Sequence, residues 1–99
     1  MSIFYFMFEG KPLLSNPESQ EFEGAYICCW VKSDNENLAL SSAKAYIEDE
    51  GWEIVCIEEK FVAKREEYID NQESLDAFDQ AINYGVGAVF YTWPSDLPN

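Results

Sequence analysis

The distribution of apolar and polar residues along the chain predicts four strands and two helices. Apolar runs of strand length lie at residues 2–8, 24–32, 52–60 and 86–93, and they are rich in the aromatic and β-branched residues that favour strands. Two amphipathic stretches, at about 35–50 and from 71 or 74 to 84, carry apolar residues at spacings of three and four. Polar capping residues precede both stretches and a glycine follows each, as at helix ends. The predicted order is β-β-α-β-α-β.

This order predicts an α+β fold. Right-handed crossovers would place both helices on the same face of a sheet, so we predict a two-layer sandwich: a mixed four-stranded sheet with two helices on one face. The arrangement resembles the ferredoxin-like plait, with the leading strand as an addition to that order or a permutation of it. We expect one domain across residues 1–99, with a long loop at 9–23 and a loose tail at 95–99.

Both faces of the predicted sheet are apolar. In the first strand, Phe4 and Phe6 point to one side and Tyr5 and Met7 to the other, whereas a sheet with one solvated face alternates apolar with polar residues. The face without helices therefore needs a cover, because a large exposed apolar patch favours aggregation. The 9–23 loop, a second copy of the chain or a different protein could supply it, and we favour a homodimer through the sheet face. Its predicted interface residues are Tyr26, Cys28, Trp30 and Phe90.

The charge of the chain restricts its partners. There are 19 acidic residues and 6 basic ones, which gives a formal net charge of -13. Such a surface repels phosphate, so we expect no nucleic-acid binding, and it disfavours anionic membranes. No apolar stretch approaches the roughly 20 residues that cross a bilayer. The charge suits a basic protein or another cationic partner.

Few side chains in this sequence suit catalysis. Histidine is absent, which removes the commonest general base and metal ligand. The cysteines Cys28, Cys29 and Cys56 lie in predicted strands, and their odd number indicates reduced, buried thiols. The start of the chain has no basic segment followed by an apolar one, so we expect no leader and a cytoplasmic location. We predict no catalytic residue, no metal site and no cofactor, and an enzyme is disfavoured.

One group of carboxylates lies where the helix dipole opposes it. Glu48, Asp49 and Glu50 end the first predicted helix, and negative charge at a helix C-terminus is unfavourable by about 0.3–1 kcal/mol per exposed group. Two interpretations remain open: a site for a cationic partner, or a solvated helix end whose cost is small. The predicted partner-binding residues are Glu48, Asp49, Glu50 and Glu53.

Three function hypotheses follow. The first is a small acidic cytosolic interaction protein that neutralises a basic protein, in the manner of an immunity protein. The alternative is a dimeric small-molecule- or cation-sensing module of ferredoxin-like type, with a pocket lined by Tyr26, Trp30 and Trp93 under the 9–23 loop. The third is an enzyme that uses carboxylates alone, which would need two of them buried.

Overall fold

The predicted element order and the α+β class are confirmed. The computed structural model describes residues 1–94, and the predicted tail at 95–99 lies outside them. No helix in the described part is long and apolar enough to cross a membrane. A short 3-10 turn at Arg65–Tyr68 precedes the second helix. The elements are β1 (Ser2–Pro12), β2 (Phe22–Ser33), α1 (Glu36–Asp49), β3 (Trp52–Ala63), α2 (Gln72–Tyr84) and β4 (Val86–Pro94).

The helix caps form as the local sequence predicts. The Asn35 side chain accepts a hydrogen bond from the Leu38 amide at the start of α1, and Asn71 accepts one from the Ser74 amide at the start of α2. Gly85 ends α2 in the left-handed conformation, with φ 99°, which side chains with a Cβ adopt only with strain. These caps satisfy backbone groups that the helix ends leave unpaired.

The connection between β1 and β2 is shorter than the loop predicted at residues 9–23. β1 continues to Pro12 and β2 begins at Phe22, so the loop covers residues 13–21. Asn16 holds it in place: this residue is buried, and its side-chain amide donates a hydrogen bond to the Gly51 carbonyl at 2.9 Å. The loop is therefore attached to the junction between α1 and β3.

The sheet is antiparallel throughout, and not mixed as predicted. Its strand order is β3-β1-β2-β4, and every neighbouring pair is antiparallel. The first two strands form the centre, and β3 and β4 form the two edges. Strands that run in the same direction, such as β2 and β3, are separated by an antiparallel strand, which is why no parallel pair occurs among residues 1–94.

The two helices lie on opposite faces of the sheet, which corrects the prediction of one shared face. Right-handedness governs connections between parallel strands, whereas β3 and β4 are antiparallel and α2 joins them across the other face. The result has three layers, unlike the ferredoxin-like plait. The core under α1 contains Phe6, Phe8, Ile27, Cys29, Ala39, Ala43 and Ile47. The core under α2 contains Tyr5, Cys28, Trp30, Ala77, Phe78, Ala81 and Val89.

The second apolar face is covered by α2 of the same chain. The helix approaches β4 very closely at Gly87: a Cβ atom there would lie 2.8 Å from the carbonyl carbon of Ala77 and closer still to its oxygen. Real Cβ atoms essentially never come within 3.0 Å of such neighbours. The small residue at this position is therefore what allows α2 to pack on the sheet.

Candidate functional site

The four residues of the predicted sheet-face interface do not form one surface. Cys28 and Trp30 are buried beneath α2, whereas Tyr26 on the same face is 42% exposed. Phe90 points to the opposite face, where its ring packs against Trp52. The pairing of β2 with β4 explains this difference, because it places Phe90 beside Ile27 and not beside Tyr26.

The predicted aromatic pocket is also not assembled. Tyr26 and Trp93 pack against each other, with ring centroids 5.1 Å apart, while Trp30 packs against Tyr5 and Tyr68 under α2. The loop expected above these residues is bonded to Gly51 instead. These three aromatic side chains therefore do not line a cavity beneath the 13–21 loop.

The predicted acidic cluster is exposed but divided. Glu48 and Glu53 line a cavity of about 500 Å³ between α1 and β3, together with Lys44. The Glu53 carboxylate lies 3.3 Å from the Lys11 ammonium group, so basic side chains already balance part of this region. Asp49 is exposed on the helix and does not line this cavity.

Glu50 belongs to a different cavity, of about 230 Å³, on the α1 side of β4. Glu18 from the 13–21 loop lines the same cavity, as do Phe90 and Thr92 of β4. Glu50, which directly follows α1, and Glu18 of the loop thus place two carboxylates beside the edge strand. They are too far apart in the sequence to be found as a run of charges.

A larger groove, of about 590 Å³, lies between α2 and β4. Its helix side carries Glu73, Asp76 and Asp79, and its strand side is formed by residues 88–90. No Lys or Arg lines either this groove or the Glu18–Glu50 cavity within the described part of the chain. We call the two together the β4 acidic border, because their carboxylates flank β4 on both faces.

The carboxylates on the α2 side differ in their partners. Asp79 accepts two hydrogen bonds from Arg65, at 2.8 and 3.0 Å, and the guanidinium holds the pKa of Asp79 below its usual value. Glu73 lies beside Tyr91 of β4, whose pKa is raised by burial and then by a hydrogen bond to this carboxylate. Glu73 and Asp76 have no ion-pair partner among the described residues.

Sequence reasoning missed the β4 acidic border for a physical reason. Glu73 and Asp76 lie near the start of α2, where the helix dipole favours negative charge. The dipole is a sufficient reason for carboxylates at these positions, so the sequence gives no indication of a binding role. Their place beside β4 depends on the face that α2 covers, which the sequence did not determine. A usable signal was the strand itself, because residues 86–93 contain no charged side chain in a chain that is otherwise strongly acidic.

The cysteines do not share one environment. Cys28 and Cys29 are buried as predicted, and burial raises the pKa of Cys29 to about 12. Cys56 is exposed, contrary to prediction, because it lies on the edge strand β3. Its thiol donates a hydrogen bond to Glu58 at 3.0 Å, which raises the pKa of Cys56.

Cys56 also belongs to a group of possible metal ligands that the sequence did not indicate. The ligand atoms of Glu9, Cys56 and Glu58 lie within 4.8 Å of one another. Metal binding requires the thiolate, whose formation the raised pKa of Cys56 opposes. We therefore assign no metal to this group.

Neither a family model, nor a curated protein, nor a solved structure matches this chain.

Proposed function

We propose that this protein is a small acidic interaction protein that binds a basic protein in the cytoplasm. The observation that carries the proposal is the excess of exposed carboxylates without a basic partner. Among residues 1–94, the ion pairs are Lys11–Glu53, Lys60–Glu36 and Arg65–Asp79, although the chain has 19 acidic residues. The remaining negative charge attracts and orients a cationic protein during encounter.

Neutralisation of a basic partner, in the manner of an immunity protein, is the specific form of this proposal. Such a role needs a rigid surface and no chemistry, because blocking a partner requires only binding. The enzyme hypothesis required two buried carboxylates, and the buried polar side chains in the described part are Asn16, Ser33 and Ser74. We therefore base the proposal on binding alone.

Selection of random peptides on the immobilised protein tests the proposal. At a salt concentration of about 0.15 M, where long-range electrostatics are screened beyond about 8 Å, the selected sequences should be enriched in Lys and Arg. Binding of the selected peptides should weaken as salt increases. Enrichment of neutral or acidic sequences would overturn the proposal.

Matched charge reversals then test the predicted acidic cluster. A variant with Glu48, Asp49 and Glu50 changed to Lys should bind the selected peptides more weakly than a control with Glu59, Glu66 and Asp70 changed to Lys. Both sets are exposed and change the net charge equally, so any difference reports position and not total charge. Equal loss in both variants would show that the cluster has no special role.

The predicted homodimer through the sheet face remains a prediction. Cys28 and Trp30 are beneath α2, so a partner copy on that face would contact Tyr26 and its exposed neighbours. Light scattering at low and high salt measures the mass in solution. A monomer under both conditions would contradict the prediction.

A further inference from the structure

The two edges of the sheet differ in how they are protected against pairing with another strand. β3 contains two irregularities in its pairing with β1, and it carries Glu53 and Lys60, each in an ion pair. Bulges and charged side chains are common means of preventing edge-to-edge association. β4 has neither: residues 86–93 are uncharged, and its register is regular from Val86 to Trp93. An unprotected edge of this kind is available to an added strand.

The hydrogen bonding of β4 identifies the backbone groups that are free. The Lys32 amide donates to the Gly85 carbonyl at 2.9 Å, and hydrogen-bonded pairs alternate along an antiparallel ladder. Gly87, Val89 and Tyr91 therefore direct their backbone groups toward β2. Ala88 and Phe90 direct theirs outward, where they border the groove beside α2.

Charge indicates what kind of strand fits this edge. Side chains of an added strand would point alternately to the two faces of the sheet. Glu73 and Asp76 lie on the α2 side of the edge, and Glu18 and Glu50 lie on the α1 side. Lys or Arg residues therefore meet carboxylates on both faces, whereas a second copy of this chain would bring the same carboxylates against each other.

We propose that β4 accepts an extended, basic segment of a partner protein as a fifth strand. The segment's backbone pairs with the outward groups of Ala88 and Phe90, and its Lys or Arg side chains contact the β4 acidic border. This inference rests on the proposed function, since it names the binding mode of the basic partner. Strand addition gives affinity through main-chain hydrogen bonds and specificity through the side chains.

The probe is a peptide that repeats Lys-Lys-Val-Val, because this order places Lys side chains on both faces of an extended strand. Its binding to the full chain is measured by fluorescence anisotropy, and amide hydrogen exchange is followed by NMR. The amides of Ala88 and Phe90 should gain protection when the peptide binds, whereas those of Gly87 and Val89 should be protected without it. The same peptide, N-methylated at consecutive residues so that neither of its edges can donate, keeps its charge and should bind at least about tenfold more weakly, as the loss of one or two hydrogen bonds predicts.

Variants of the protein provide the complementary test. Ala88→Pro removes an outward amide that the sheet does not use, and proline is tolerated at such edge positions. It should weaken peptide binding about tenfold, by the same loss of hydrogen bonding, while thermal unfolding verifies the fold. A Glu50→Lys, Asp76→Lys variant should weaken binding more than its matched control, Glu59→Lys, Glu66→Lys.

The outcomes separate this inference from the proposed function. If the N-methylated and unmodified peptides bind equally, or if Ala88 and Phe90 gain no protection, strand addition is refuted while basic peptides remain ligands. If selection also yields no basic sequences, the proposed function fails with it. A dimer of the free protein that Ala88→Pro dissociates would overturn the choice of occupant, because β4 would then pair with a second copy.

Discussion

Substitution of Gly87 by alanine tests the position of α2 on the second face of the sheet. Gly87 lies in β4 directly under Ala77 of the helix, and an added Cβ would come within 2.8 Å of the Ala77 carbonyl carbon. The neighbour is backbone in mid-helix, which cannot rotate away as a flexible side chain can. The whole helix would have to move outward, on the order of 1 Å, to restore normal van der Waals contact.

The expected cost follows from what the helix buries. Overpacking a well-packed core costs about 1–3 kcal/mol, and an outward shift of α2 also loosens the packing of Phe78 and Ala81, which are 4% and 0% exposed. We therefore expect the free energy of unfolding to fall by about 3 kcal/mol. For a domain of this size each kcal/mol lowers Tm by about 4–8 °C, so Tm should fall by more than about 10 °C.

Urea and thermal unfolding followed by circular dichroism measure this change. Gly85→Ala is the matched control: nothing lies within 4 Å of its added Cβ, but its φ is positive, so it reports backbone strain of about 1–2 kcal/mol without a clash. Reaction of Cys28 with a thiol reagent is a second readout, because α2 covers this residue and its displacement should expose the thiol.

The two glycine variants can be compared directly. Gly87→Ala must destabilise the protein more than Gly85→Ala, and it must increase the reactivity of Cys28 under native conditions. If Gly87→Ala costs less than the control, or leaves Cys28 protected, then α2 does not approach β4 as closely as described, and the assignment of the second face to this helix fails.

Three further predictions concern thiols and the loop. Glu58→Gln replaces the carboxylate that raises the pKa of Cys56 with a neutral amide, which disfavours the thiolate less, so the rate of Cys56 alkylation at pH 7 should increase a few-fold; an unchanged rate would contradict this. The folded-state pKa of Cys29, about 12, lies above its ordinary value of 9.0. Its contribution to stability is thus fully present below pH 9 and is lost as pH rises toward 12. The urea concentration at the midpoint of unfolding should decrease as the pH is raised from 8 to 10.5. The decrease should be smaller in Cys29→Ala than in the wild type. Asn16→Ala removes a hydrogen bond to Gly51 and one from the loop, and urea unfolding should show a loss of about 1–3 kcal/mol.

Local signals in the sequence were sufficient to predict the elements. The Asn35 cap, the glycine after each helix and the apolar runs are each read from a few neighbouring residues, and the structure confirms the elements they predict. β3 continues past the predicted end at residue 60 to Ala63, and the β1–β2 loop is shorter than predicted. Its polar and proline-containing flanks, Glu9–Pro12 and Phe22–Glu23, continue the strands because pairing with neighbouring strands stabilises them.

The faces of the sheet depend on information that neighbouring residues do not contain. Both faces were correctly predicted to be apolar, but the predicted cover of the second face was the 9–23 loop, a second copy or another protein, and not α2. α1 and α2 each have one apolar stripe, and periodicity does not reveal which face of the sheet a stripe meets. β3 and β4 are antiparallel to each other, so the right-handed rule for connections between parallel strands does not apply to the connection through α2.

The same limit applies to the acidic surface. Glu48, Asp49 and Glu50 were predicted as a binding site because they lie at a helix C-terminus, where the dipole opposes negative charge. The structure places Glu48 and Glu50 at different cavities and pairs the nearby Glu53 with Lys11. The β4 acidic border instead contains carboxylates from the 13–21 loop, from the residue that caps the end of α1 and from α2. Proximity in three dimensions, which follows from topology, brings these groups together.

The sheet lies between two helices, and this position affects what determines the register of its strands. Cys28 and Cys29 are adjacent in sequence but belong to different cores. Sliding β2 by one residue would exchange the contents of those cores, and the usual penalty of moving polar groups inside would be absent, since both sets are apolar. Size must do the discriminating instead: Gly24 accommodates the ring of Trp93, and Gly87 accommodates α2. In this molecule the pattern of large and small side chains sets the strand register. In sheets with one solvated face, the alternation of polar and apolar residues sets it.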